Sequence, residues 1–221
     1  MGKYAKAVYQ RSNNRAKGVL DLIHSNICGP MSTRALSGVE YFVTFIDDHS
    51  RKTWIYFLKT KDKVFSRFKE FKALVENLIG KRIKVLRSDN GGEYIDKEFT
   101  RFCAREGIRR EWTTPYNPEQ NGATERKNRT IVEATRAMLY DQDMPKFLWA
   151  EACNTTFYVQ NRILHNALGK ITPESVFTGS KPEVSHFRIL AVPHIVMCLK
   201  RRGRCWIRLR KRDIWWDIVR T

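Results

Sequence analysis

Residues 85–94 read VLRSDNGGEY, and their reading decides the fold. Val85 and Leu86 run through Arg87 into Ser88 and Asp89, after which Asn90, Gly91 and Gly92 force a turn. This is the pattern of a buried strand that delivers one carboxylate at its C-terminal end, beside a turn where backbone can pass close to a ligand. Downstream, DKEFTRFCAREG (96–107) predicts a short helix closed by Gly107, and IRREWTT (108–114) another strand. PYNPEQNG (115–122) reads as a loop. From Ala123 to Tyr140 the pattern is helical again, with Glu125 in its first turn.

Upstream, VLDLIHSN (19–26), YFVTFIDD (41–48) and KTWIYFLK (52–59) are three β-rich runs separated by short polar breaks, which predicts an antiparallel meander. A helix follows, with Val64, Phe68, Phe71, Leu74, Val75 and Leu78 at helical spacing and Gly80 as its C-terminal glycine. The order strand, strand, strand, helix, strand, helix, strand, loop, helix implies an α/β protein, a mixed sheet flanked by helices with acidic residues at strand ends. Thirty-five residues separate Asp89 from Glu125, and the strand, helix and strand between them can return both to one sheet edge. Two carboxylates at one edge suit a hard divalent cation and phosphoryl transfer. Each is also explained more plainly, Asp89 as a solvated acid and Glu125 as a partner of the helix dipole.

Charge supports a polyanionic partner. Forty-one Lys and Arg stand against twenty-three Asp and Glu in 221 residues, a net +18, with a pI near 10.0. An apolar content of 42% argues for a packed core. Cys28, Cys103, Cys153, Cys198 and Cys205 are scattered, which favours reduced thiols over a disulfide framework or zinc module. No apolar run reaches membrane length and MGKYAKAVYQR lacks the apolar segment of a secretory signal, so the chain reads as intracellular, with no membrane partner.

Long ordered motifs then carry a resemblance. LRSDNGGEY, PYNPEQNGATERKNRT (115–130) and FLWAEACNTTFYVQNR (147–162), extended by YFVTFIDDHSR (41–51), ITPESVFTG (171–179) and KPEVSHFRI (181–189), resemble the integrase catalytic core of Ty1/copia-type retrotransposon Pol polyproteins. The resemblance implies an RNase H-like fold of the retroviral integrase superfamily and a DDE polynucleotidyl transferase. Such an enzyme uses Mg²⁺ or Mn²⁺ to join retroelement cDNA ends to target DNA. Asp89 and Glu125 match the second and third acidic positions, as catalytic residues and metal ligands. The first acidic residue of the family follows His-Ser, and here His24 and Ser25 are followed by Asn26, then Ile27, Cys28, Gly29 and Pro30. An amide offers one carbonyl oxygen where a bridging carboxylate is needed, so the expectation is a catalytically defective copy, a pseudoenzyme; the alternatives are a non-enzymatic DNA-binding remnant and a translated pseudogene without function. Asp21 lies five positions upstream, on the opposite face of an alternating strand. Asp47 and Asp48 read as turn residues with no precedent as ligands in the family.

Arg126, Lys127, Asn128 and Arg129 read as a basic helix face beside Glu125 and the expected metal site, which suits phosphate contacts. Tyr116, Asn117 and Gln120, in the loop before the helix, are further candidates for DNA contact. The expected organisation is a remnant at 1–17 of the segment that follows the family's zinc module, an integrase core with a helical extension at 18–188, and a basic tail at 189–221. Trp149, Phe157 and Tyr158 are read as core-facing aromatics. After Ile189, where the family continues Phe-Gly-Cys, this chain reads Leu190, Ala191 and Val192, and over 199–221 nine Lys and Arg face two Asp. One lost nucleotide after Ile189 would produce this tail from the family's frame, which predicts a disordered segment. A functional copy of such a protein would be nuclear and would associate with itself.

Overall fold

Alternation is realised first in β1 (Ile23–Cys28), β2 (Tyr41–Asp47) and β3 (Thr53–Leu58), which pair antiparallel. The computed structural model describes residues 15–112, 118–141 and 143–185, with side chains in the long fourth helix described from residue 125 onward. β4 (Val85–Ser88) joins β1 in parallel and β5 (Arg109–Trp112) joins β4 in parallel, so the sheet order is β3-β2-β1-β4-β5. The helices are α1 (Val64–Ile79), α2 (Gly92–Ile95), α3 (Lys97–Arg105), α4 (Pro118–Asp141), α5 (Trp149–Gln160) and α6 (Pro173–Thr178). The compact unit ends at Val184. The boundary expected at 188 and the tail at 189–221 lie outside the described residues, as do residues 1–14 of the expected N-terminal remnant.

One sheet face, built from Ile23, Val43, Phe45 and Leu86, packs on Phe68, Phe71 and Val75 of α1 and on Phe99 and Cys103 of α3. Phe45 and Phe71 stack with centroids 4.5 Å apart. Leu74 and Leu78 continue the helical period but are about half exposed, because the apolar stripe that meets the sheet is narrower than their spacing suggests. Gly80 caps α1 in the left-handed region, as expected. The other face is covered over β1 by α4 and over β3 by α5, where Phe42 and Phe57 meet Trp149 at 6.3 and 5.7 Å. Trp149 and Phe157 are buried as expected, whereas Tyr158 is half-buried. Its ring carries the Arg162 guanidinium at 3.6 Å.

The segment beyond α5 is tied to the sheet. Lys52 Nζ pairs with Glu174 Oε1 at 2.7 Å and lies 4.8 Å from the Phe177 ring and 5.2 Å from that of Trp54. Asn161 closes a two-way bond with the Thr53 backbone at 3.0 and 2.8 Å. Two expectations are corrected. α2 occupies part of what read as an open turn at NGGEY. α4 begins at Pro118 rather than Ala123, since proline's fixed φ and missing N–H suit a first helical position.

Candidate metal edge and nucleic-acid surface

Register places Asn26. In the parallel pair, Ile23 faces Leu86 and His24 faces Arg87. Carried past these pairs, the same offset of 63 residues (86 − 23 and 87 − 24) puts Asn26 level with Asp89, the residue just after the end of β4, where paired strands stand roughly 4.8 Å apart. Ile23 lies in the core beneath α1, and the Ser25 hydroxyl shares a 2.5 Å hydrogen bond with that of buried Tyr94. Alternation therefore turns His24 and Asn26 to the opposite face, the one under α4. Gly29, just past the strand, has φ 128°, and a Cβ there would stand 2.7 Å from the Glu40 carbonyl oxygen. Only glycine lets β1 and β2 close in this way.

Across the ladder Asn26 pairs with Thr44. The Thr44 hydroxyl is 3.3 Å from the Asn26 carbonyl oxygen and 3.2 Å from Asn128 Oδ1, and donates to either. Asn128 is 7% exposed, so this contact docks α4 on the sheet. Glu125 is three residues earlier, and residues three apart on a helix share a face. α4 thus brings Glu125 to the side of the sheet where Asn26 and Asp89 end. Because α4 starts at Pro118, Glu125 is not in the first turn, and the dipole explanation for it fails.

Asp89 is half-buried and accepts the Gly91 N–H at 3.3 Å. Burial raises its carboxyl above the ordinary value and the nearby Glu93 carboxylate adds to this, outweighing Gly91 N–H and the Lys61 charge. A carboxylate so placed gains from a cation. Glu93 was not among the residues singled out in the sequence. Its signal was a position four residues beyond Asp89 across a Gly-Gly turn that folds back.

The alternative acids stand elsewhere. Asp47 pairs with Ile23, three residues from Asn26 along β1, or roughly 10 Å. Both its oxygens are occupied, by Leu20 N–H at 2.8 Å, Ser50 N–H at 2.7 Å and the Ser50 hydroxyl at 2.6 Å. Asp48 accepts from His24 Nε2 at 3.1 Å, Arg51 at 3.0 Å and Ala16 N–H at 2.7 Å. Burial would raise its carboxyl, but these partners hold it far below the ordinary range. Asp21 precedes β1 and pairs with Lys84 at 2.6 Å. Among the described residues no three His, Cys, Asp or Glu side chains converge as a metal site.

Residues 126–129 do not form one basic face, because four consecutive helical positions run around the whole helix. Arg126 and Arg129 are exposed, Asn128 is buried on the sheet, and Lys127 is half-buried. Loss of water lowers the Lys127 ammonium to about 8. Tyr116 and Asn117 lie outside the described residues, and Gln120 falls within α4, where only its backbone is described. Cys28, Cys103 and Cys153 are free thiols.

This mixed sheet with its flanking helices is the fold of retroviral integrase catalytic cores, an RNase H-like class. The likeness to a simian T-cell lymphotropic virus intasome in complex with PP2A regulatory subunit B56 gamma has a TM-score of 0.59 at 17% identity. It covers 92% of this chain and 68% of that one. The HTLV-2 integrase catalytic core domain in complex with magnesium, in its trimeric form, gives 0.55 at 18%, covering 74% of this chain and 99% of that one.

Sequence places the chain more narrowly. The integrase core domain family matches residues 19–118. The Retrovirus-related Pol polyprotein from transposon TNT 1-94 of Nicotiana tabacum is 48% identical over 188 residues, 85% of this chain and 14% of that protein. That from transposon RE2 of Arabidopsis thaliana is 32% identical over 189 residues, covering 86% and 13%. Over most of its length the chain is similar to the integrase-core region of Ty1/copia-type retrotransposon Pol polyproteins. It spans about a seventh of the length of these relatives.

Proposed function

We propose that this chain is an integrase-type DNA-binding domain that has lost strand transfer. The observation that carries the reading is Asn26, level with Asp89 on the face that α4 covers. Asp89 and Glu125 are the catalytic carboxylates of the family and the groups that would hold a metal. As a donor set they fit one Mg²⁺ or Mn²⁺, which takes oxygen ligands and is commonly held by one or two carboxylates and substrate phosphate. They do not fit a pair of ions, since the amide of Asn26 cannot bridge as a carboxylate does. A bound pair would supply an activated attacking oxygen and a stabilised leaving oxygen. Without the bridge that chemistry has no support, and the retained role is binding.

DNA is the partner of choice on chemistry. Exposed Arg126 and Arg129 on α4 suit sequence-independent phosphate contacts, and Tyr116, Asn117 and Gln120 are further candidates for DNA contact by residue type. The DNA is retroelement cDNA ends and target duplex, which places the functional protein in the nucleus as a homo-oligomer. No helix among the described residues is long and apolar enough to cross a membrane. The integrase-type segment is 18–188, and the sequence from 189 to 221 is read as the product of a frameshift.

The test is Mn²⁺-dependent cleavage and rejoining of a branched DNA substrate by the full chain, with and without Asn26→Asp. Activity confined to Asn26→Asp is the expected result. Activity in the unaltered protein would sink the assignment of Asn26 as the missing ligand.

A further inference from the structure

The half of the α4-side sheet face formed by β4 and β5 has a character unlike the rest. On that face α4 lies mainly over β1 and α5 over β3. Leu86 and Ser88 point into the core and are buried, but Val85, Arg87 and Glu111 are only half-buried and Arg109 is exposed. Their alternation puts Val85, Arg87, Arg109 and Glu111 together on the open face. Arg87 grips Glu111 Oε2 through two nitrogens at 2.9 and 2.6 Å, and Arg109 reaches the other oxygen at 2.8 Å.

One carboxylate thus orders two guanidinium groups and neutralises one of them. The groove alongside, about 280 Å³, adds Arg15 and Lys17 against Asp21. Arg15 is already engaged with the carbonyls of His49 and Ala167, and Asp21 with Lys84. Arg87, Arg109 and Lys17 therefore dominate, and the groove is cationic.

Position gives this charge a direction. Arg87 and Asp89 are two residues apart at the end of one strand, so they share a face at a separation of roughly 6.6 Å. That is close to the through-space distance between successive phosphates of one DNA strand, which exceeds their roughly 3.4 Å rise along the axis because the backbone also winds around it. A duplex whose backbone reached Asp89 would meet Arg87 at the next phosphate, then Arg109 and the groove. α4 would lie on its other side with Arg126 and Arg129.

We propose that the open β4–β5 face is a second duplex-DNA surface, which cradles one phosphate backbone opposite α4 with Arg87 and Arg109 as its anchors and Glu111 as the carboxylate that offsets part of their charge. This rests on the DNA-binding reading above and extends it to a surface that the motif residues do not reach. The contacts are to phosphate and carry no base information.

The experiment is fluorescence anisotropy of the full chain with a labelled duplex, across a salt titration. Unaltered protein, R87A/R109A, R126A/R129A and E111Q are compared, each checked by melting temperature. R87A/R109A should bind several-fold more weakly at about 0.1 M salt and lower the slope of log affinity against log salt by about 2, close to 0.9 per phosphate contact. E111Q, which keeps its shape and releases both arginines, should bind more tightly with a steeper slope.

An unchanged slope in R87A/R109A beside a reduced one in R126A/R129A overturns the second surface and leaves DNA binding on α4 intact. If R87A/R109A does not fold, E111Q decides alone, and weaker or equal binding there overturns the proposal. Heparin competing as well as duplex at equal charge would mark a general polyanion surface and also overturn it. No binding by the unaltered chain refutes the DNA reading itself.

Discussion

Glu174→Gln tests whether the segment beyond α5 is part of the core or an appendage to it. Lys52 is 7% exposed, its ammonium 2.7 Å from Glu174 Oε1 and close to the Trp54 and Phe177 rings. The substitution keeps shape and one acceptor oxygen but removes the compensating charge. A buried pair broken on one side costs about 3–5 kcal/mol. The amide still accepts a hydrogen bond and the two rings attract the cation, each ring contributing about 0.5–2 kcal/mol. A loss of about 2–3 kcal/mol is therefore expected. Replacing both partners, Lys52→Met with Glu174→Gln, should recover about half of it, because no uncompensated charge remains. Urea unfolding followed by circular dichroism measures this, with the midpoint shifting and the slope unchanged. A loss under about 0.5 kcal/mol, the range of a surface pair, would refute the claim that α6 is locked to β3 by this pair.

Phe71→Ala, which removes a ring stacked on Phe45, should cost about 3–5 kcal/mol by the same unfolding assay. For Asp48, the folded carboxyl lies below its unfolded value, so its stabilisation is complete above pH about 4 and is lost as pH falls through and beneath that value. Asp48→Asn should be less stable at pH 6 and lose less on acidification to pH 3, measured as melting temperature. Lys127 has the opposite sign: its folded value, about 8, is below that of a free lysine, so folding is disfavoured at low pH and stability should rise from pH 7 to pH 10. Lys127→Met should flatten that rise, and an unchanged slope would contradict the burial of the ammonium.

The meander was legible because Tyr41 to Asp47 and Thr53 to Leu58 alternate around aromatic and β-branched residues, and a period of two admits few other readings. α1 was legible for the corresponding reason. Its edges were not: Leu74 and Leu78 fit the helical period, and only packing shows that the stripe stops short of them. The start of α4 was misread because Pro118 and the Asn residues around it signal turns as readily as a helix start. The basic run at 126–129 misled by adjacency, since neighbours in a helix point apart. Asn26 was noticed through the residues around it, but its place beside Asp89 is a matter of register between strands sixty residues apart. The bond between Thr44 and Asn128 joins residues 84 apart, and no local pattern announces it.

The register at Asn26 separates two kinds of selection. An aspartate and an asparagine differ by one heavy atom and have nearly the same volume, so β1 pairs, twists and packs alike with either. Folding is therefore blind to the exchange, while the metal chemistry is not. A position of this kind is free to drift wherever the reaction is not required, and the fold keeps no mark of the exchange. Reversal is equally cheap, because the surrounding sheet has nothing to rebuild.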